Sequence, residues 1–142
     1  MKTPHGFKLA GTAAGIKKEG LDLGLITSET AAIGAAIFTK NAFPAAPVLV
    51  SRENLRRTNY RVRAILTNSG NANAANGEAG LAATRRSGTC VAELIGCPAE
   101  EVFVASTGVI GRPLPVDKIC SAIPALIGEI SATGERRLRA RL

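Results

Sequence analysis

The stretch from Arg63 to Gly111 limits what this chain can fold into more than any other. Arg63-Ala64-Ile65-Leu66-Thr67 has the composition of a strand, and it runs directly into Asn68-Ser69-Gly70-Asn71-Ala72-Asn73-Ala74-Ala75-Asn76-Gly77, a loop with no bulky or charged side chain. From Glu78 onward Leu81, Thr84, Gly88, Val91, Leu94 and Ile95 recur near a 3.6-residue period, which predicts an amphipathic helix. Gly96-Cys97-Pro98 ends it. Val102-Phe103-Val104-Ala105 then alternates as a further strand, breaking at Ser106-Thr107-Gly108 and again at Gly111-Arg112-Pro113. Strand and helix in alternation predict an α/β layered domain of sheet and helices.

The first half is dominated by strand signals. Residues 6–17 predict an edge strand kinked by glycines, and residues 21–27 a second strand that ends in a turn at Ser28-Glu29. Residues 31–39 predict a small-residue strand, and Pro44 and Pro47 break the pattern after it. Val48-Leu49-Val50 predicts a short buried strand, with Ser51 as the N-cap of a brief exposed helix over 52–57. At the other end Pro115 opens a second amphipathic helix, with Ile119, Ile123 and Leu126-Ile127 on one side, interrupted or ended near Pro124 or Gly128.

With 142 residues the chain is long enough for one domain with a real core, and with 4% aromatics that core is built from Val, Ile, Leu and Ala. The net charge of +7 would point to an anionic partner, but Glu135–Leu142 holds four arginines against one glutamate and so supplies +3 of it. Without Trp, and with no interleaving of aromatic and basic residues, no nucleic-acid partner is expected. No segment has the length and apolarity of a signal peptide or a membrane span, so no membrane partner and a cytoplasmic location are expected. Cys90, Cys97 and Cys120 form no C-x-x-C pair and are expected to be buried free thiols. His5 is the sole histidine, which excludes histidine-based triads and most zinc sites. The spacings of dinucleotide and P-loop motifs are absent, and no cofactor is expected.

Two features carry chemistry. At Thr107-Gly108 a hydroxyl stands beside an unshielded backbone N–H, two donors able to hold an oxyanion, although on the residues alone the favoured reading is that Gly108 and Gly111 merely permit the turn. Likewise the loop 68–77 is either a solvent-exposed turn cluster or a surface that another group approaches closely.

Taken together, Gly6-Phe7, Ala10-Gly11, Gly15-Ile16-Lys17, Ile37-Phe38-Thr39-Lys40-Asn41, Ala45-Ala46-Pro47-Val48, Asn68-Ser69-Gly70-Asn71-Ala72-Asn73-Ala74, Gly77-Glu78-Ala79-Gly80 and Ser106-Thr107-Gly108-Val109-Ile110-Gly111-Arg112 resemble the ornithine acetyltransferase / N-acetylglutamate synthase enzymes of arginine biosynthesis. The resemblance runs from about residue 6 to about residue 128. It implies the N-terminal part of that family's fold and transfer of an acetyl group from N-acetylornithine to glutamate, with acetyl-CoA as a second acetyl source in some members. The acetyl group rests as an ester on a threonine freed by self-cleavage, whose own amine serves as base, so that no histidine is needed. Carried over by motif, Thr107 and Gly108 form the oxyanion hole. The nucleophilic threonine is expected on a second (β) subunit in a hetero-oligomer, since neither Ala83-Thr84 nor Ala132-Thr133 follows the family's Gly-Ala-Thr pattern.

The composition changes abruptly after Gly134. We therefore divide the chain into a family-like portion, 1–134, and an Arg-rich tail, 135–142, that is expected to be non-homologous, as from a truncated or frameshifted reading frame. The isolated chain is expected to be inactive. A fragment of a related self-processing aminopeptidase and a basic binding module are the competing expectations.

Overall fold

The computed structural model describes residues 3–130; the boundary expected at 134–135, and Thr133, lie outside them. In chain order the elements are β1 (Phe7–Thr12), β2 (Leu23–Ile33), α1 (Ala46–Arg57), β3 (Arg61–Asn71), α2 (Gly77–Ile95), a single 3-10 turn at Ala99–Glu101, β4 (Val102–Val109) and α3 (Val116–Gly128). The four strands form one sheet in the order β1-β2-β3-β4. β1–β2 and β2–β3 are antiparallel, while β3–β4 is parallel, with Leu66 opposite Val104 and Gly70 opposite Gly108. A parallel neighbour requires a crossover connection, and α2 supplies it. The α/β layered class expected from the alternating signals is the class observed.

Side chains alternate across the sheet, so each strand contributes one set of residues to each face. Ala10, Leu23, Leu25, Ala64, Leu66 and Val102 meet Val91 and Ala92 of α2 and Ile119, Ile123 and Leu126 of α3. This is the core, and full burial of a Leu or Ile side chain contributes about 2 kcal/mol each. The opposite face carries a cross-strand row, Leu9, Ile26, Ile65 and Phe103, in register across all four strands. Among the described residues no helix covers that row, and Ile65 remains 38% exposed.

Three local expectations are corrected. The strand β2 does not turn at Ser28-Glu29; a shift of register between Thr27 and Ala32 lets it continue to Ile33. Residues 34–45, expected to be strand as far as Thr39, carry neither helix nor strand. Val48-Leu49-Val50 is not a strand but part of α1, whose buried residues Ala46, Pro47, Val50, Ser51, Asn54 and Leu55 keep helical spacing. Pro47 acts there as a first-turn residue, where its missing N–H costs nothing, and Ser51 sits inside the helix instead of capping it.

The cysteines are also corrected. Cys90 of α2 and Cys120 of α3 form a disulfide, with Cα atoms 5.8 Å apart, and Cys97 alone is free. The pairing joins two helices that are brought together only by the packed fold. Pro124 lies within α3 on its exposed side, and the helix runs past it to Gly128. Among the described residues no helix is long and apolar enough to cross a membrane.

Candidate active site

As an edge strand β4 has one row of backbone groups without a neighbouring strand, and α1 protects part of it. The Ser51 hydroxyl donates to the Val104 carbonyl (3.0 Å) and accepts from the Val104 N–H (3.2 Å), while Asn54 Nδ2 donates to the Val102 carbonyl (3.3 Å). Thus residues 102 and 104 direct their polar groups to the free edge. Regular alternation along the strand would assign the N–H of Gly108 to that same edge. The carbonyl of Val109 faces the other way and accepts from the Ala72 N–H at 2.9 Å.

Thr107 follows Phe103 and Ala105 on the sheet face opposite the core helices, and it is exposed. Among the described residues its hydroxyl has no hydrogen-bond partner. Gly108 has a φ of +133°, and a Cβ there would lie 2.8 Å from Gly70 Cα and 2.5 Å from the Asn71 nitrogen. The glycine therefore does more than permit a turn. The backbones of β3 and β4 meet so closely at Gly70 and Gly108 that a side chain is excluded.

Three asparagines of the segment 68–77 are buried beneath this tip, while Ala75 and Gly77 are exposed. Asn68, Asn71 and Asn73 are 3%, 5% and 0% exposed. Ser106 Oγ donates to Asn68 Oδ1 (2.6 Å), and Asn68 Nδ2 donates to the Asn71 carbonyl (2.9 Å). Asn71 Nδ2 reaches the carbonyls of Arg112 and Pro113, beyond the strand tip, at 3.2 and 3.0 Å. Asn71 Oδ1 accepts from the Asn73 N–H at 2.8 Å. Asn73 Nδ2 donates to the Gly80 carbonyl (2.9 Å) and Thr84 Oγ1 (2.8 Å), and Asn73 Oδ1 accepts from Asn76 Nδ2 (3.0 Å). An amide suits this role because it carries both donors and acceptors without a charge to bury. The turn is held in positive φ at Asn73 (+47°) and Ala75 (+60°), the latter at a cost on the order of 1 kcal/mol.

Beside Thr107 lies a cleft of about 220 Å³, lined among others by Lys17, Asp22, Thr67, Ser69 and Thr107. Asp22 is 3% exposed, and its carboxylate accepts the backbone N–H groups of Ala14 (2.6 Å), Ile16 (2.6 Å) and Lys17 (2.9 Å). Asp22 is not among the candidates that the sequence offers. A carboxylate between Leu21 and Leu23 in an alternating segment was the available signal, but its partners are backbone groups that leave no trace in side-chain pattern.

The chemistry of the pair suits an anionic oxygen, since a hydroxyl without a partner among the described residues stands beside a glycine N–H that no side chain shields. It does not supply a base: no histidine lines the cleft, and Asp22 is engaged by three backbone donors. Thr84 is fully buried and donates to the Gly80 carbonyl, which removes it as a nucleophile. Burial pushes the Cys97 thiol up, with Arg63 opposing and Glu101 adding to the shift, so it holds its proton. Among the described residues no cluster of His, Cys, Asp and Glu could hold a metal ion.

A family model for the ArgJ family matches residues 8–140. The arginine biosynthesis bifunctional protein ArgJ of Geobacter sulfurreducens is 46% identical over 128 residues, covering 89% of this chain and 32% of that protein. Its counterpart in Dehalococcoides mccartyi is 46% identical over 141 residues, covering 97% of this chain and 34% of that protein. The chain thus spans about a third of the length of the curated relatives it matches. Among solved structures, the arginine biosynthesis bifunctional protein ArgJ of Bacillus halodurans superimposes with a TM-score of 0.87 at 38% identity, over 94% of this chain and 68% of that one. An ornithine acetyltransferase from Mycobacterium tuberculosis, complexed with ornithine, gives a TM-score of 0.86 at 40% identity, over 94% of this chain and 74% of that one.

Proposed function

Because the chain belongs to the ArgJ family, we propose that it supplies the oxyanion hole for transfer of an acetyl group from N-acetylornithine to glutamate, in arginine biosynthesis. In this account the nucleophilic threonine lies on a second polypeptide, the β subunit of a hetero-oligomer produced by self-cleavage. Its hydroxyl oxygen bonds to the acetyl carbon as its proton passes to its own amine, and the carbonyl oxygen becomes negative. Thr107 Oγ and the Gly108 N–H donate to that oxygen. The C–N bond then breaks, ornithine leaves with the proton, and the acetyl ester is taken by the amine of glutamate through a second oxyanion, which restores the threonine hydroxyl. Acetyl-CoA can replace N-acetylornithine as the acetyl source in the same site. No resident cofactor enters the reaction.

The observation that supports this account is the exposed Thr107 hydroxyl, without a hydrogen-bond partner among the described residues, beside a glycine that the close approach to Gly70 requires. The M. tuberculosis relative bound to ornithine supports the substrate class. A direct test is to assay N-acetylornithine with glutamate using the purified chain, alone and mixed with the part of the Geobacter relative that this chain does not match. No turnover alone and measurable N-acetylglutamate from the mixture are expected. Turnover by the 142-residue chain on its own would overturn the assignment of the nucleophile to a second polypeptide.

A further inference from the structure

We propose that Lys17 is the positioning cation of the Thr107 cleft: its ammonium draws an anionic acyl oxygen into reach of Thr107 and Gly108, a role that rests on the oxyanion account above. Three features place it there. The Lys17 N–H donates to Asp22 Oδ2 at 2.9 Å, which fixes its backbone against the end of β2. Its stem then passes over Gly70: a Cβ on that glycine would lie 2.7 Å from Lys17 Cγ. Gly70 is the register partner of Gly108, so the lysine stem lies over the strand next to the proposed oxyanion tip. Finally, Lys17 and Thr107 line the same cleft.

The charge balance of the cleft gives the lysine its consequence. Asp22 is the one carboxylate among the lining residues and would repel an anion. Three backbone N–H groups already engage it, and Lys17 makes no ion pair among the described residues. The ammonium is therefore available to an incoming ligand, while Thr107 and Gly108 are uncharged donors that fix direction but add no formal charge. Gly70 has a second function in this arrangement, since a side chain there would displace the lysine as well as crowd the backbone.

Acetate is the appropriate probe, because it joins the acetyl methyl to an anionic oxygen. Titrated into the 15N-labelled full chain, it should produce saturable amide shifts at Thr107, Gly108 and Ser69. Lys17→Met and Lys17→Gln should each weaken binding about fivefold, the scale of one exposed ion pair, while Lys17→Arg stays within about twofold. Added sodium chloride should weaken binding in the unsubstituted chain and have much less effect in Lys17→Met. Unliganded amide positions at Thr107 and Gly108 that persist in the variants separate loss of charge from loss of structure. Equal acetate affinity in Lys17→Met and the parent overturns the lysine's role and leaves the donor pair standing. Absence of shifts at Thr107 and Gly108 in the parent overturns both.

Discussion

Midway along the β3–β4 pair Ala64, Leu66 and Val102 lie under Val91, Ile119 and Ile123, whereas at its far end the buried residues are Asn68, Asn71 and Asn73. Both regions are closed to water, yet they are held by different forces. The middle gains from removal of apolar area, which is non-directional and tolerates small shifts. The end is held by amide hydrogen bonds, each with a fixed direction and a modest net worth of about 1 kcal/mol. Directional bonds are what a strand tip requires if it is to hold two donors in place. The cost is that every amide must be satisfied, and the chain of contacts from Ser106 through Asn68, Asn71 and Asn73 to Asn76 meets that condition.

Substitutions in the two regions should therefore differ in kind as well as in size. Leu66→Ala is expected to cost about 3 kcal/mol of global stability, read as a lower urea midpoint with an unchanged slope, because Leu66 is 2% exposed beneath two helices. Asn73→Ala is expected to cost about 2 kcal/mol, by removing the bonds that one fully buried amide makes to the Gly80 carbonyl, Thr84 Oγ1 and Asn76 Nδ2. Its distinguishing mark is local. Amide exchange should accelerate first from Asn71 to Asn76 and from Val109 to Pro115, with the middle of β3 little changed. Uniform acceleration in both variants would erase the contrast between the two regions.

The same contrast explains what was legible in the sequence. α2 declared itself through a long 3.6-residue period and Gly96, and β4 through the alternation of Val102 to Ala105, because both signals are local. α1 is masked in the sequence because Val48-Leu49-Val50 is too short for its periodicity to separate strand from helix, and Pro47, a breaker by residue type, stands in the first turn. The continuation of β2 depends on a register shift against β3 that no local residue announces. The Cys90–Cys120 bond is equally non-local, joining residues 30 apart through the packing of α2 on α3. At the candidate site, Thr107 and Gly108 can be read from the sequence as a strand tip with two potential donors, while the engagement of Asp22 and the burial of Asn68, Asn71 and Asn73 cannot. The absence of charge from residues 68–77 was the one hint that this segment is not an ordinary exposed loop.

The central claim is that Thr107 and Gly108 together stabilise an oxyanion, and Thr107 offers the more direct handle because its hydroxyl can be removed without touching the backbone approach at Gly70. In the mixture with the complementary part of the Geobacter relative, Thr107→Val should lower kcat for acetyl transfer about a hundredfold with little change in KM, since the lost bond strengthens only as charge develops. Thr107→Ser should recover most of that rate. An unchanged kcat in Thr107→Val, or a loss confined to KM, would contradict the assignment of this strand tip as the oxyanion hole.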